Sequence, residues 1–354
     1  MTNFKKINIL VLFSSSDIGG AERSLSRMVL SNNNDLICYQ LSTFGANGSW
    51  SEWVESNGRA TICYDKSIWK LLKYIFLNKP YAIYIIGFRL SVLLRMTVPL
   101  ISNTRLVHGV RWNPNSNSYL DKSLRFVEKI FGFLLDGYIV NSESAAHTLS
   151  KLKRKNISLI YNGIDNIKRS NLNKSNKKYI VTVANLSPRK GYEDYLRAIE
   201  IIIKKVPDTQ FLFLGKDNLN GRIQQLILDK KLEKSIHYMG FQEKIEDFLD
   251  DSVLFVLPSL YGEGCPTSIL EAFSFSLPVV AYQIDGIPEL VTNGVDGLLY
   301  DVGNIDELAE GIISLLSDTE KLKEMGELGY KIVKDNFLLS DMLKKHNDYF
   351  LGLE

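Results

Sequence analysis

The sequence predicts an α/β protein made of two consecutive Rossmann-like halves, each built on a parallel sheet. The chain has 354 residues, of which 45% are hydrophobic and 23% charged, and this suits two globular domains better than one core. Short β-branched or aromatic runs alternate with longer amphipathic stretches, a pattern typical of parallel strands joined by crossover helices. A polar segment rich in Asn, Lys and Ser interrupts this alternation, which then begins again.

The first half, residues 1–165, is predicted as the N-terminal domain. It opens with the strand "INILVLF", the loop "SSSDIGGAE" and the helix "RSLSRMVLSN". Further strands are predicted at "LICYQLST", "YAIYIIG", "TRLVHGV" and "GYIVNS", with helices such as "KSIWKLLKYIFL" and "LDKSLRFVEKIFGFLL" between them. The most apolar stretch is interrupted by Arg89 and Arg95, so it predicts a strand and a helix inside a core rather than a membrane span.

The second half, residues 179–338, repeats the pattern after a predicted linker at 166–178. The predicted strands are "YIVTVAN", "TQFLFLG", "IHYMGF", "SVLFVLPS", "LPVVAY" and "DGLLY", and "GYEDYLRAIEIIIKKV" is a predicted helix. The end of the chain, about 339–354, is amphipathic, and we expect it to form a helix that packs back on the first half.

Charge is unevenly distributed along the chain. Residues 1–167 hold 20 Lys and Arg against 11 Asp and Glu, a net charge of +9, and the whole chain carries only +2, so the remainder carries −7. The basic half should attract anions, among them an anionic membrane surface or a phosphorylated substrate. Three scattered cysteines and the lack of a signal-peptide pattern predict a reduced, cytoplasmic location. The four histidines show no metal-ligand spacing, so no metal is expected.

The stretch "EGCPTSILE" places Glu263 and Glu271 on either side of a loop and a predicted helix start. Thr267 or Ser268 suits the helix N-cap, and the N–H groups of a helix start form a natural phosphate site. Glu271 lies one turn into the helix, where its carboxylate can grip a vicinal diol. Glu263 can accept a hydrogen bond from a second hydroxyl group. A capped helix with two solvated acids is the alternative.

The loop after the first strand carries Gly19 and Gly20, where a Rossmann fold binds phosphates or substrates. The sequence "IGGAE" lacks the G-x-G-x-x-G spacing, so a dinucleotide fingerprint is absent. Glu22 can reach an acceptor, or can serve only as an acid at a helix start.

Four segments together resemble the retaining glycosyltransferases of family 4. They are "SSDIGGAERSL", "NGID", "ANLSPRKGYEDYLRAI" and the E-x7-E segment "YGEGCPTSILEAFSFSLPVVAYQIDGIPELVTNGVDGLLY". The order and the position of each at a strand end match the family over nearly the whole chain. The resemblance implies the GT-B fold, in which two Rossmann-like domains face each other across a deep cleft.

The resemblance also implies roles for individual residues of the second half. In such enzymes the glutamate matching Glu271 binds the ribose hydroxyls of a nucleotide-sugar, and the glutamate matching Glu263 contacts the donor sugar. Lys190 matches the lysine that neutralises the diphosphate. Backbone amides around Gly264 and Cys265 are expected to hold the sugar, and those near Ser268 and Ile269 the diphosphate.

One position departs from the family pattern. The phosphate-binding arginine of the family falls on Asn185, and an amide cannot replace a guanidinium charge. Arg189, next to Lys190, is a candidate substitute, although adjacent side chains need not point the same way.

Further site residues are expected at other strand ends. His108 matches a histidine that family members place near the donor sugar, with a core histidine as the alternative, and Arg111 is a candidate anion contact. Backbone near Gly215 and Phe241 is expected to hold the base. No D-x-D pair follows a strand, so no cofactor and no metal are expected. The family's retaining reaction is commonly explained by a front-face mechanism, and no acid in the sequence stands out as a nucleophile.

The segment Lys66–Lys79 predicts a basic amphipathic helix. Ile68, Leu71, Leu72, Ile75 and Phe76 recur at helical spacing, with Trp69 nearby and Lys66, Lys70, Lys73 and Lys79 beside them. Contact with the inner membrane surface is one interpretation, and a Rossmann helix with a buried stripe and solvated lysines is the other.

Taken together, the sequence predicts transfer of a sugar from a nucleotide-sugar, with a UDP-sugar as the expected donor. The expected acceptor is a glycan or a polyprenyl-diphosphate-linked glycan in bacterial surface-polysaccharide synthesis, including lipopolysaccharide or O-antigen. No nucleic-acid partner is expected. A nucleotide-sugar epimerase on the same fold and a non-catalytic nucleotide-sugar-binding protein are the alternatives.

Overall fold

The structure is a computed structural model that describes residues 6–111, 119–154, 156–165 and 179–353. The chain divides into two compact units, Met1–Gly163 together with Leu339–Glu354, and Ile164–Leu338. The predicted linker at 166–178 lies outside the described residues. Among the described helices, none is long and apolar enough to cross a membrane.

The first unit contains a seven-stranded sheet in the order β3-β2-β1-β4-β5-β6-β7, with every neighbouring pair parallel. Its strands are β1 Ile7–Phe13, β2 Ile37–Thr43, β3 Ile62–Cys63, β4 Ala82–Ile86, β5 Arg105–Val110, β6 Gly137–Val140 and β7 Ile157–Leu159. Its first six helices are α1 Gly20–Leu30, α2 Ser49–Ser56, α3 Ile68–Asn78, α4 Phe88–Thr97, α5 Tyr119–Phe131 and α6 Glu143–Lys151. Short 3-10 turns at Val98–Leu100 and Gly132–Leu134 follow α4 and α5.

Both faces of this sheet are buried, because alternate side chains of each strand point to opposite layers. Val11 and Tyr84 enter the layer that contains Leu25 of α1 and Val54 of α2. Leu12 and Ile85 enter the other layer, which contains Leu71 of α3 and Leu94 of α4. The helices therefore cover the sheet on both sides, as the doubly wound arrangement requires.

The second unit contains a six-stranded parallel sheet in the order β10-β9-β8-β11-β12-β13. Its strands are β8 Tyr179–Val183, β9 Gln210–Leu214, β10 Ile236–Gly240, β11 Ser252–Leu257, β12 Val279–Tyr282 and β13 Gly297–Tyr300. Its helices are α7 Tyr192–Lys205, α8 Arg222–Asp229, α9 Glu246–Asp250, α10 Thr267–Ser274, α11 Ile305–Ser317 and α12 Thr319–Asn336. The predicted pair of parallel-sheet, Rossmann-like domains is thus confirmed.

The last helix, α13 (Leu339–Leu351), belongs to the first unit. Its apolar stripe, which includes Met342 and Phe350, joins the same core layer as α1. The Phe350 ring lies 6.1 Å from that of Tyr39 and 5.7 Å from that of Tyr84. The helix therefore completes one wall of the first unit's core.

Candidate functional site

The candidate site lies in the second unit, at the carboxyl end of its sheet. Strand β8 has β9 on one side and β11 on the other, so the strand order reverses here. Loops that follow the two diverging strands at such a switch point leave a crevice in which α/β proteins bind ligands. The loop after β8 carries Arg189 and Lys190, and the loop after β11 carries Glu263.

A buried ion pair joins these two loops. The Lys190 ammonium contacts the Glu263 carboxylate oxygen Oε1, and both residues are buried. Gly191 allows this approach: its φ is +65°, and a Cβ there would meet the carbonyl oxygen of Pro258 at 1.9 Å. The loops are also joined by a 2.7 Å hydrogen bond from Leu260 N–H to the Arg189 carbonyl. The predicted site residues Lys190 and Glu263 are therefore held together.

Arg189 points to the same carboxylate as Lys190. Its Nη1 lies 3.4 Å from Glu263 Oε1 and donates a 2.9 Å hydrogen bond to the Gly262 carbonyl. Its side chain is 42% exposed, so part of the guanidinium remains open to solvent. Two cations therefore converge on one carboxylate, and the cluster carries a net charge of +1.

The pKa values of the pair reflect this arrangement. Burial alone would raise the pKa of Glu263, but the charges of Lys190 and Arg189 outweigh it and hold that pKa below its usual value. Burial lowers the pKa of Lys190, and the Glu263 charge opposes this decrease. The carboxylate stays ionised at neutral pH, so it can act as a hydrogen-bond acceptor.

Asp285, which the motif analysis missed, fixes the backbone of the Glu263 loop. Its Oδ2 accepts hydrogen bonds from Gly262 N–H at 2.6 Å and from Glu263 N–H at 3.2 Å. Gly262 has φ +79°, a left-handed conformation that favours glycine. Asp285 follows β12, the next strand in the sheet, so its position after "VVAYQI" was the one available sequence signal.

Helix α10 begins immediately beyond this loop, but its cap differs from the prediction. Pro266, rather than Thr267 or Ser268, is the N-cap, and it makes no side-chain cap hydrogen bond. Ile269 N–H donates to the Pro266 carbonyl at 3.1 Å, and the use of this amide for a diphosphate stays a prediction. In the described part of the chain, Gly264 N–H and Ser268 N–H donate to no other group. These two amides remain available to an anion.

The other predicted residues of this loop lie along α10 or just before it. Cys265 is buried at 3% exposure, and Glu271 is partly buried in the second turn of the helix. A turn of helix thus separates Glu271 from the amides at its start, and its contact with a ribose stays a prediction.

Asn185 and Gly215 form hydrogen bonds between neighbouring strand ends of the second sheet. The Asn185 side-chain oxygen accepts a 2.9 Å hydrogen bond from Lys216 N–H. Gly215 N–H donates to the Gly240 carbonyl at 2.8 Å, and the Gly215 carbonyl accepts from Tyr238 Oη at 2.9 Å. Both backbone groups of Gly215 thus have partners within the sheet, and the expected contact of backbone near Gly215 and Phe241 with a base stays a prediction. Phe241 is 47% exposed at the end of β10.

In the first unit, Gly19 is the extended N-cap of α1 and Gly20 is its first residue. The Glu22 carboxylate folds back over Gly19, where an added Cβ would lie 2.6 Å from Glu22 Oε2. Burial raises the pKa of Glu22, while backbone N–H groups of Glu22 and Gly19 oppose the increase. The Glu22 carboxylate therefore covers the backbone of the glycine loop at the start of α1.

His108 lies within β5 rather than at its end, which corrects the prediction. It is 5% exposed, and its Nδ1 is 3.7 Å from Glu128 Oε1. Glu128 also accepts from Arg95 Nη2 at 2.8 Å and from Tyr138 Oη at 2.7 Å, and Arg95 and His108 together hold its pKa at about 2 despite burial. Burial lowers the pKa of His108. This environment matches the alternative prediction for His108, which was a histidine buried in the core.

Arg111 follows β5, and both of its terminal nitrogens find partners inside the first unit, while its buried Nε has none among the described residues. Its Nη1 donates to Asn162 Oδ1 at 2.9 Å, and its Nη2 donates to Tyr84 Oη at 2.5 Å and lies 3.4 Å from His346 Nε2. Asn162 in turn accepts from Ser24 Oγ at 3.1 Å. Arg111 thus links α13 to the sheet, a role that the anion prediction did not include.

Comparison with known proteins agrees with this geometry. Residues 163–332, which include every cluster residue, match the family model for glycosyl transferases group 1. A UDP-Gal:α-D-GlcNAc-diphosphoundecaprenol α-1,3-galactosyltransferase of Escherichia coli is 31% identical over 212 residues, or 56% of this chain and 54% of that protein. The amylovoran biosynthesis glycosyltransferase AmsK of Erwinia amylovora is 33% identical over 38% of this chain and 35% of that protein. The alignments thus span about a third to a half of the length of these curated relatives.

Among solved structures, HepE of Anabaena in complex with UDP and glucose has a TM-score of 0.85 and 21% identity. The structural match covers 98% of this chain and 100% of the HepE chain. It extends the similarity in fold to the whole chain.

Proposed function

We propose, from the membership of residues 163–332 in the group 1 glycosyltransferases, that this chain transfers a sugar from a UDP-sugar to a glycan acceptor. The observation that carries the proposal is the Arg189–Lys190–Glu263 cluster at the switch point of the second sheet. The cluster combines two cations that can bind a diphosphate with an ionised carboxylate that can accept a hydrogen bond from a sugar hydroxyl.

The cations act on the leaving group. A departing nucleoside diphosphate gains negative charge as the glycosidic bond breaks, and preorganised cations stabilise that charge where it develops. Lys190 is fixed by its contact with Glu263, and the exposed part of Arg189 supplies the charge that Asn185 lacks. The N–H groups of Gly264 and Ser268 add two neutral donors at the start of α10.

The carboxylates bind the hydroxyl groups of the donor. Asp285 and the two cations orient Glu263, which accepts from the sugar. Glu271, one turn into α10, accepts from the ribose. The proposed reaction is retaining. It is also proposed to use no metal or cofactor, because Lys190, Arg189 and backbone amides neutralise the charge on the diphosphate.

The acceptor is proposed to be a glycan carried on a polyprenyl diphosphate, in bacterial surface-polysaccharide synthesis at the inner face of the cytoplasmic membrane. Support comes from the name of the Escherichia coli relative, whose acceptor is a diphosphoundecaprenol-linked sugar, and of the amylovoran enzyme. The +9 charge of residues 1–167 suits a diphosphate-lipid acceptor.

The test is acceptor-dependent release of UDP. The chain is incubated with a panel of UDP-sugars, with and without an undecaprenyl-diphosphate-linked sugar, and both UDP and the donor sugar are quantified. We expect UDP release only with acceptor, and loss of release in Lys190→Ala. Conversion of the donor sugar without acceptor would instead indicate an epimerase, and donor binding with no conversion under any condition would indicate a non-catalytic protein.

A further inference from the structure

The outer surface of three neighbouring helices in the first unit is unusually apolar. We call it the α3–α5 face and define it as the exposed side chains of Ile68–Asn78, Phe88–Leu100 and Tyr119–Leu134. Nine of the ten large apolar side chains that are exposed in the described part of the first unit belong to it, so the exposure is concentrated rather than scattered. They are Trp69, Phe76, Leu77, Leu93, Met96, Leu100, Phe126, Ile130 and Phe133.

Helices α3 and α4 lie on the same side of the sheet, and α5 packs beside α4. Leu71 of α3 and Leu94 of α4 insert into the same core layer, so both helices cover the same face of the sheet. Helix α5 is joined to α4 by the buried Arg95–Glu128 pair at 2.8 Å. Side chains that point away from this layer therefore share one outward-facing surface.

The exposed charged side chains that the structure describes on the α3–α5 face have one sign. Its exposed charged side chains are Lys70, Lys73, Arg89, Lys122 and Lys129. The one acid whose side chain is described in these elements, Glu128, is buried, and Lys70 pairs with Asp65 just outside the face at 2.6 Å. Four cations therefore remain without a counter-charge among the described side chains of the face.

We propose that the α3–α5 face docks on an anionic membrane surface. Exposed apolar patches of this kind mark interaction sites, and aromatic and aliphatic side chains ringed by cations match the boundary between lipid head groups and acyl chains. Lysine and arginine bind the negative surface of anionic lipids, with each contributing to the attraction. A second copy of the chain would place the same cations against one another, which disfavours self-association.

Sequence periodicity located only part of this surface. It singled out α3, where Leu71 and Ile75 are buried, but Phe76 of the predicted stripe is 56% exposed and Trp69 is 79% exposed. The contribution of α4 and α5 appears only when the fold places them beside each other. The inference rests on the membrane location in the proposed function and deepens it by naming the contact surface, and it uses no residue of the Arg189–Lys190–Glu263 cluster.

The test is flotation of the full-length chain with vesicles, in the absence of any donor. Vesicles of phosphatidylcholine alone are compared with vesicles of phosphatidylcholine and phosphatidylglycerol, at low and high salt. We expect binding to the anionic vesicles to be at least about tenfold stronger, because about 1 kcal/mol per cation makes two engaged cations sufficient for that ratio. High salt should reduce the difference.

Two matched double variants locate the contact. Trp69→Ser with Leu100→Ser removes side chains that are 79% and 82% exposed on the α3–α5 face, and Leu228→Ser with Val302→Ser removes side chains that are 56% and 46% exposed in the second unit. We expect the first pair to reduce vesicle binding at least about tenfold while thermal unfolding and UDP binding are unchanged, and the second pair to have no effect.

Three outcomes would overturn the proposal: no flotation of the wild type with anionic vesicles at low salt, equal flotation of both double variants, or a wild-type dimer in light scattering that the first pair converts to monomer. The last result would assign the face to self-association. None of them bears on UDP release, so failure here and failure of the proposed sugar transfer are distinguishable.

Discussion

At the scale of single residues, the Lys190–Glu263 pair is a feature with a large energetic consequence. Both side chains are buried, and each is compensated mainly by the other. Removal of one partner from such a pair leaves an uncompensated charge in the interior, whereas removal of both leaves a smaller cost. Arg189 at 3.4 Å from Glu263 is too exposed to replace Lys190 in full.

We therefore expect Lys190→Met to lower the free energy of unfolding by about 3 kcal/mol or more. Lys190→Met with Glu263→Gln should recover at least half of this loss, because no charge remains buried. Lys204→Met, at an exposed position of α7, is the control and should change stability by less than about 0.5 kcal/mol. Urea unfolding measures all three, and a single-variant loss similar to that of Lys204→Met would disprove the buried-pair argument.

Asp285 gives a second test at this scale, because it holds the backbone of the Glu263 loop while Glu271 lies on α10. Asp285→Ala removes an acceptor of two N–H hydrogen bonds. We expect affinity for a UDP-sugar to fall about tenfold, since hydrogen bonds to a charged group contribute about 1.5–3 kcal/mol, while affinity for UDP stays within about threefold. Calorimetry with both ligands measures the difference, and Asp285→Asn should restore part of it. An equal loss for UDP and UDP-sugar would show that Asp285 does not act through Glu263.

The motif placed Lys190 after β8, Glu263 after β11 and Glu271 in the helix that follows, since the patterns of these strands and of the helix are plain in the sequence. Asp285 was missed because it acts from 22 residues away, on a contact that exists only once β11 and β12 pair. The direction of Arg189 was equally out of reach, because a 3-10 turn at Pro188–Lys190 sets it. His108 was placed at a strand end near the donor sugar because a polar residue close to the end of a strand pattern suggests a site, whereas Arg95 and Glu128 accommodate it within the interior, as in the core-histidine alternative.

At the scale of elements, α13 matters most for the first unit. It contributes Met342, Leu343 and Phe350 to a core layer otherwise built from residues 9–160. It also brings His346 against Arg111 and Tyr84. The helix therefore stabilises this unit although it follows the second unit in sequence.

A neighbouring pair of α13 residues tests this packing. Phe350 is fully buried, whereas Leu351 is 40% exposed. We expect Phe350→Ala to cost about 3–5 kcal/mol in unfolding free energy, by lost burial and a residual cavity, and Leu351→Ala to cost less than about 1 kcal/mol. Equal costs in chemical denaturation would mean that α13 does not pack as described.

His346 makes the same helix sensitive to acid. Burial and the Arg111 charge lower the pKa of His346 to about 3. Between pH 6.5 and 3 the unfolded chain binds a proton at this residue that the folded chain does not, so acidification weakens folding by about 1.4 kcal/mol per pH unit. We expect the stability advantage of wild type over His346→Gln to shrink by about 2–3 kcal/mol from pH 6.5 to 4.5. An advantage that stays constant across this range in urea titrations would contradict the buried, neutral state of His346.

Element bounds were largely predictable, because period and length distinguish strands from helices. "INILVLF" coincides with β1, and the helix predicted at 191–206 is observed at Tyr192–Lys205. The cap of α10 was not predicted correctly: Thr267 is the first helical residue, and Pro266 takes the extended cap position, to which its fixed φ of −64° is suited. A preference for hydroxyl caps is a tendency that the local backbone overrides.

At the scale of the whole molecule, the restart of the strand–helix pattern was enough to predict two parallel-sheet units. The order of strands in each sheet was not readable from the sequence, since pairing joins segments as distant as β8 and β11. The switch point, and with it the meeting of Lys190 and Glu263, therefore became visible only in the fold. The apolar α3–α5 face is a further property that no single helix reveals.

The central claim is that the second unit binds a nucleotide-sugar through the loops at this switch point. Calorimetric titration with UDP of wild type, Glu271→Ala and the control Glu310→Ala, an exposed acid on α11, tests it most directly. We expect the wild type and Glu310→Ala to bind equally, and Glu271→Ala to bind at least about tenfold more weakly, because a carboxylate hydrogen bond to ribose contributes about 1.5–3 kcal/mol. No UDP binding by the wild type, or unchanged affinity in Glu271→Ala, would contradict the account.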